Sequence, residues 1–170
     1  MEQDTFQSAL ADHGDRIYSY AVWLLGDREE ARDITQEGFM RLWAKRSMVA
    51  DGAAWVWLSR TVYRLCIDRH RRRTVRREGA LAEPSEASGS QKLGPLQRVE
   101  QSELRTAIGS ALARLSPRDR VLIVLREMQG MSCEKMAEVL EMNLNTLKSG
   151  LHRARDRLRN ELTKMGVQRP

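Results

Sequence analysis

The sequence predicts an all-α protein made of two small helical domains joined by a flexible linker. Apolar residues make up 41% of the 170 residues and aromatic residues only 5%, a composition that disfavours a β-sandwich or a β-barrel. Charged residues reach 31%, which is typical of helices with one solvated face. Apolar residues recur at helical spacing in both halves of the chain, whereas residues 80–97 show no periodicity.

The first half predicts three helices. The first spans about residues 5–25 and ends at Gly26, and Asp27 is the expected N-cap of a second helix over residues 28–45. A short loop around residues 47–52 leads to a third helix over residues 53–77, whose last third is rich in arginine. We expect these helices to form one bundle.

The linker is predicted from composition. Residues 80–97 contain two prolines, two glycines and three serines and almost no large apolar side chain. Such a segment is typical of a flexible tether. The predicted domains are therefore residues 1–78 and residues 99–170, with the linker over residues 79–98.

The second half predicts four more helices. The first, over residues 100–115, ends at Ser116, which can cap a following helix that has Pro117 in its first turn. That helix carries the apolar run VLIVL and ends before Gly130, and Ser132 is the expected N-cap of a short helix to residue 140. The tight turn EMNLN then leads into a final amphipathic helix over residues 145–165. The last two helices have the pattern of a helix-turn-helix.

Charge is unevenly distributed along the chain. The formal net charge of +6 is made of −4 over residues 1–59, +7 over residues 60–77, −2 over residues 78–97 and +5 over residues 98–170. Two basic blocks stand out, RHRRRTVRR at residues 69–77 and a stretch with five basic residues at 148–159. One block alone is compatible with a solvated helix end, whereas two blocks, one in each half, favour a nucleic-acid partner.

Several classes of protein and site are disfavoured. Cys66 and Cys133 cannot form a disulfide framework, and the sequence has no CxxC or HxxxC spacing for zinc. The three histidines fall in different predicted helices, and no P-loop or acid–base pair is present, so we expect no enzyme, no cofactor and no metal. The longest apolar run has six residues, against about 20 for a membrane helix, and the N-terminus does not resemble a signal peptide. We therefore expect a cytoplasmic protein with no membrane insertion and no obligate homo-oligomer.

Motifs in both halves resemble one family in the right order. The stretch LARLSPRDRVLIVLREMQGMSCEKMAEVLEMNLNTLKSGLHRAR resembles region 4 of the extracytoplasmic function (ECF) sigma factors of the sigma-70 family. The segments GDREEARDITQEGFMRLW and AWVWLSRTVYRLCIDRHRRR resemble region 2 of the same group. The resemblance covers nearly the whole chain. It implies a protein that binds core RNA polymerase and directs promoter-specific initiation, with an anti-sigma factor as a further partner.

The resemblance also implies roles for particular residues. A surface on the second helix would bind the β′ clamp helices of core polymerase, while region 4 would meet the β flap. The residues of that surface are Asp33, Gln36, Glu37, Phe39, Leu42 and Trp43. Either Phe39 or Trp43 is instead expected to be a core residue.

Promoter DNA would be contacted by two further sets of residues. The minus-ten element would be met by Trp55, Arg60, Arg64, Arg69, Arg71, Arg72 and Arg73. The minus-thirty-five element would be read by Asn145, Thr146, Lys148, Ser149, His152, Arg153 and Arg155. Arg155 is also placed to pair with Asp156 or Glu161.

The sequence departs from the family pattern at four positions. Arg64 stands where asparagine is usual, Asn145 where glycine is usual, and Cys133 where tyrosine is usual. Gly150 stands where arginine is usual, and we expect this change to remove a DNA contact and to leave minus-thirty-five readout to Lys148 and Arg153.

Two alternatives of a different class remain at this point. A helix-turn-helix regulator would bind operator DNA tightly without polymerase and would not need the surface on the second helix. A sigma-like decoy would occupy core polymerase without supporting initiation. A recombinase is disfavoured because the chain has no recognisable catalytic serine or acidic domain.

Overall fold

The computed structural model describes residues 3–78 and 97–167, and within these ranges it is all-α, as predicted. The predicted linker falls almost entirely on residues 79–96, which lie outside the described residues. The helices are α1 (Gln3–Leu25), α2 (Arg28–Ala44), α3 (Ala54–Glu78), α4 (Gln97–Arg114), α5 (Pro117–Ile123), α6 (Cys133–Leu140) and α7 (Leu144–Lys164). In the described ranges no helix is long and apolar enough to cross a membrane.

The helix starts follow local side-chain chemistry. Asp27 Oδ1 accepts a hydrogen bond from the backbone N–H of Glu30 at 2.9 Å, so its predicted capping role is confirmed. Ser116 and Ser132 accept in the same way from N–H groups three residues further on, which confirms both predicted caps. These bonds satisfy donors that the first turn of a helix otherwise leaves without partners.

The helix after Ser116 differs from its prediction at its end. The sequence predicts one regular helix to residue 128, but the structure changes to a π-helical turn over Val124–Met128. The backbone N–H of Gln129 donates to the carbonyl of Val124 at 3.0 Å, five residues back. The wider turn lets the chain reach Gly130, where φ is +63°, without breaking the hydrogen-bonded ladder abruptly.

Each half buries its own apolar stripe. In the first half Ile17, Tyr20, Ile34 and Leu58 are at most 1% exposed, where α1, α2 and α3 meet. Helices α2 and α3 approach closely at Gly38, where an added Cβ would lie 3.1 Å from a methyl group of Val62. In the second half the equivalent core residues are Leu112, Leu122, Leu125, Met136 and Leu147.

The two halves also pack against each other, which the sequence did not predict. Helix α1 contacts α5 and the π turn, and α3 contacts α6. The buried apolar side chains of both halves form one continuous cluster. Arg60 Nη2 donates to the carbonyl of Glu138 at 2.7 Å, and Arg16 Nη2 donates to the carbonyl of Gln129 at 3.1 Å. Sequence periodicity gives the apolar face of each helix but not its partner, so it suggested two separate bundles.

Candidate functional site

Helices α6 and α7 form a helix-turn-helix with a three-residue turn. Glu141 begins the turn in the left-handed conformation, with φ 53° and ψ 46°. Asn143 ends it, because its side-chain oxygen accepts from the backbone N–H of Asn145 at 2.9 Å and of Thr146 at 3.5 Å. The turn thus places the short α6 across the start of the longer α7. In a helix-turn-helix this arrangement leaves one face of the second helix exposed at its N-terminal end.

The outward face of α7 carries the predicted minus-thirty-five residues. Leu147, Leu151 and Ala154 are buried against the other helices of this half. The opposite side is exposed and is lined by Asn145, Thr146, Lys148, Ser149, His152 and Arg153. Short polar side chains at the helix start followed by basic ones have the chemistry required to contact base edges and phosphates in a major groove.

Arg155 makes an ion pair that the sequence did not suggest. Its guanidinium donates to Glu127 Oε1 from Nη2 at 2.5 Å and from Nε at 2.8 Å. The two carboxylates considered from the sequence are engaged elsewhere: Glu161 pairs with Lys164 and Arg114, and Asp156 pairs with Arg159. Arg155 therefore links α7 to the π turn, and its charge is already paired in the absence of DNA.

Gly150 does not lie on the outward face, and the expectation that it removes a DNA contact is wrong. The residue is buried, and an added Cβ would lie 3.3 Å from Leu122 Cδ1 of α5. Glycine here allows α7 to approach α5 closely. The helical spacing of Leu147, Gly150, Leu151 and Ala154 is the signal that would have identified this buried position.

The arginine block of α3 divides between two faces. Arg73 lies against the start of α2, where its Nη2 is 2.6 Å from Glu30 Oε2 and 3.5 Å from Asp27 Oδ2. Arg69 also faces Glu30, at 3.7 Å. Arg71 and Arg72 are exposed. Of the four predicted minus-ten arginines in this block, Arg69 and Arg73 thus contact α2 or its N-cap, and Arg71 and Arg72 face solvent.

Trp55 is covered by α1 in this conformation. The Arg16 guanidinium carbon lies 4.0 Å from the centroid of the Trp55 ring, and the His13 ring lies at 5.5 Å. Burial, together with the charge of Arg16, lowers the pKa of His13, so the imidazole beside the tryptophan favours its neutral form. Trp55 is half-buried, and a stacked base would have to displace Arg16.

The remaining two minus-ten arginines reach α6. Arg64 Nη2 lies 2.9 Å from both carboxylate oxygens of Glu141, which is 77 positions away in the chain. Arg60 Nη1 lies 3.8 Å from Oε1 of the same carboxylate. Both arginines are therefore occupied by protein groups across the contact between the two halves.

A groove with an apolar floor runs between α1 and α2. Phe39 is 6% exposed and forms part of the floor, whereas Trp43 is 38% exposed and packs edge-on against Phe6 with ring centroids 4.9 Å apart. Of the two aromatic residues, Phe39 is thus the core one. The predicted contact residue Leu42 is completely buried and does not line the groove, so its side chain is not accessible to a partner.

Sequence reasoning missed two large exposed apolar residues of this groove. Leu10 is 47% exposed and Met40 is 64% exposed, and both line it. Asp33 and Gln36 are exposed on α2 as expected. Glu37 pairs with Arg41 one turn further on, at 2.6 Å. The groove therefore offers exposed apolar side chains beside the polar groups of Arg32 and Gln36, and the carboxylates of Asp33 and Glu37 lie outside its lining.

Comparisons with known proteins identify the family of this chain. Residues 9–76 match the Sigma-70 region 2 family, and residues 105–158 match the Sigma-70 region 4 family. The chain is 31% identical over 160 residues to the ECF RNA polymerase sigma factor SigL of Mycobacterium tuberculosis, covering 93% of this chain and 89% of that protein. The chain belongs to the ECF sigma factors of the sigma-70 family.

Other ECF sigma factors are similar over most of this chain. It is 32% identical over 160 residues to SigE of Mycolicibacterium smegmatis, covering 94% of this chain but only 62% of the length of that protein. The sigma factor RpoE of Bartonella quintana, solved in complex with the anti-sigma factor NepR, superposes with a TM-score of 0.77 at 25% identity and covers 93% of this chain and 96% of that one. Sigma factors are initiation factors rather than enzymes.

Proposed function

We propose that this ECF sigma factor binds core RNA polymerase through the α1–α2 groove and directs promoter-specific initiation by placing α3 at the minus-ten element and α7 at the minus-thirty-five element. The observation that carries the proposal is that one chain presents an exposed polar and basic face on α7 and an exposed apolar groove on α2. An apolar groove suits a partner protein, and a polar and basic helix face suits a polyanion such as DNA. The proposed site of action is the bacterial cytoplasm, where the polymerase and the chromosome are found.

The groove suits a helical partner with basic side chains. Met40, Trp43 and Leu10 supply apolar area that the fold leaves exposed. Asp33 is exposed on α2 one position from Arg32, which lines the groove, and none of the described cations forms an ion pair with Asp33. An amphipathic helix bearing arginine would bury the apolar residues and pair with Asp33, in the way helices dock into grooves generally. The family resemblance identifies the β′ clamp helices as this partner.

The DNA contacts are proposed from exposure and charge. Lys148 and Arg153 are exposed on α7 and belong to the basic block of the second half. Arg71 and Arg72 are exposed on α3 and suit phosphate contacts, which position the protein without reading sequence. We propose that residues 1–78 and 99–170 act as separate reading units in the holoenzyme, with residues 79–98 as the connection and the β flap as the contact of the second unit.

An anti-sigma factor is a further proposed partner. The Bartonella quintana relative is bound to NepR in its solved structure, and it covers 93% of this chain. An inhibitor that covered the α1–α2 groove would exclude polymerase from it. We propose that this chain is regulated in that way.

Polymerase binding by a charge-reversed variant tests the proposed surface. Asp33→Arg replaces the unpaired carboxylate next to the groove with a charge that repels an arginine-bearing helix, and we expect binding to core polymerase in a co-purification assay to fall by at least tenfold. The matched control is Asp68→Arg, which makes the same charge change at an exposed position of α3 outside the groove. Equal binding by both variants would refute the surface. Tight operator binding without polymerase would favour the regulator instead.

A further inference from the structure

Glu141 has an unusual backbone conformation for its residue type. Among residues 3–78 and 97–167 it is the one non-glycine residue with a positive φ, at 53°. A residue with a Cβ adopts this left-handed conformation at a cost in free energy that glycine avoids. Strained residues of this kind persist where surrounding interactions hold them, and they cluster at sites with a function.

The side chain of Glu141 meets the arginines of the other half. Both of its oxygens lie 2.9 Å from Arg64 Nη2, and Oε1 lies 3.8 Å from Arg60 Nη1. The carbonyl of Glu138, one turn earlier in α6, accepts from Arg60 at 2.7 Å. One end of α6 thus occupies two of the arginines that the proposed function assigns to minus-ten DNA.

This closed arrangement is incompatible with reading two promoter elements. Arg64 is in contact with Glu141, and Glu141 lies three residues before the first residue of α7. The minus-ten and minus-thirty-five elements are separated by about 25 base pairs, or roughly 85 Å of B-form duplex. The two reading surfaces must therefore separate before both elements can be bound.

We propose that Glu141 is an intramolecular latch that imitates a DNA phosphate and holds the minus-ten surface of α3 closed against α6 in the unbound chain. The inference rests on the proposed function of α3. A carboxylate presents two acceptor oxygens to a guanidinium as a phosphate does, so the same arginine serves both. Promoter DNA displaces the carboxylate because a polyanion also releases counterions when it binds.

The expected strength of the latch follows from its exposure. The side chains of Arg64 and Glu141 are 60% and 57% exposed, so water and salt screen their attraction. Exposed pairs of this kind change equilibria by a small factor, about two- to fivefold. This strength suits a contact that must be broken each time the sigma factor is used.

The test compares two variants that remove the same charge from the same helix end. Glu141→Gln removes the latch carboxylate, and Glu138→Gln removes an exposed carboxylate but keeps the backbone carbonyl that holds Arg60. The probe is a fluorescein-labelled oligo(dT) strand, and fluorescence anisotropy reports the Kd of the free chain. We expect Glu141→Gln to bind about two- to fivefold more tightly than Glu138→Gln. Equal Kd values would overturn the latch.

A second measurement separates failure of the latch from failure of the proposed function. A double-mutant cycle of Glu141→Gln and Arg64→Gln, read from the unfolding equilibrium constants in urea denaturation of the free proteins, reports the contact without DNA, and we expect a coupling of about two- to fivefold. If no protein binds oligo(dT), the DNA role of α3 fails, and the cycle alone then decides the latch: absence of coupling overturns it. Glu141→Gly serves in place of Glu141→Gln if the latter is unstable, because glycine suits the left-handed backbone.

Discussion

Arg120 Nη1 donates to the backbone carbonyl of Leu24 at 2.7 Å and thereby ties the end of α1 to the second half of the chain. The same guanidinium donates to the carbonyls of Leu112 at 2.8 Å and Ala113 at 2.9 Å, near the end of α4. These carbonyls belong to helix ends, where four acceptors lack intrahelical partners. Burial lowers the pKa of Arg120, but the carbonyl oxygens that accept hydrogen bonds from its planar guanidinium stabilise the charged form.

Replacing Arg120 with lysine is expected to destabilise the folded chain although it keeps the charge. A single ammonium cannot reach the same set of carbonyls, so buried acceptors lose their donors. We expect a loss of about 2–3 kcal/mol in the free energy of unfolding, measured by urea denaturation. Arg118→Lys, at an exposed position two residues earlier, is the control and should change stability by less than about 0.5 kcal/mol.

The outward face of α7 is expected to determine the salt dependence of duplex binding. Lys148→Ala should lower affinity and reduce the slope of log Kobs against log salt by about one, since one phosphate contact is lost. Arg157→Ala is the contrasting variant, because Arg157 Nη1 pairs with the buried Asp119 at 2.5 Å. It should cost about 1–3 kcal/mol of stability and leave the slope unchanged. A reduced slope for Arg157→Ala together with an unchanged slope for Lys148→Ala would contradict the assigned face.

Substitution of Gly150 is expected to affect folding and not promoter selectivity. An arginine at this buried position would force a charged side chain between α7 and Leu122 of α5. Gly150→Arg should therefore lower the free energy of unfolding by about 2–4 kcal/mol, seen as a lower Tm by circular dichroism. A stable Gly150→Arg protein with tighter promoter binding would show that the position faces DNA after all.

The two cysteines are expected to differ sharply in reactivity. Burial raises the pKa of Cys66 to about 12, so the reactive thiolate is scarce near neutral pH. Cys133 is only partly buried at the start of α6. Titration of the folded chain with Ellman's reagent should release one equivalent quickly, and Cys133→Ser should abolish that phase. Rapid modification of Cys66 in folded Cys133→Ser would be contrary to this account.

Local features were predictable from the sequence, and long-range ones were not. Asp27, Ser116 and Ser132 cap helices as expected, because a cap depends on residues only three positions apart. The exposed face of α7 was predictable as well, because helical spacing also relates residues only three or four positions apart. The contact of Arg64 with Glu141 joins residues 77 positions apart, and no local pattern encodes it.

Burial within the predicted contact surface was only partly predictable. The family motif places Phe39, Leu42 and Trp43 together, but one helix face cannot hold all three at the surface when α1 packs beside it. Leu42 is completely buried, and Met40 is exposed in the groove instead. Sequence identifies which helix carries the surface, and packing of its neighbours decides which side chains remain accessible.

Run-off transcription with purified core polymerase from the same organism tests the central claim most directly. We predict discrete transcripts from particular genomic promoters that appear only when the chain is added, that disappear with Asp33→Arg and that persist with Asp68→Arg. Absence of transcripts from any genomic fragment, with core polymerase still bound, would indicate a decoy. Promoter-specific DNA binding that needs no polymerase and yields no transcript would likewise contradict a role as an initiating sigma factor.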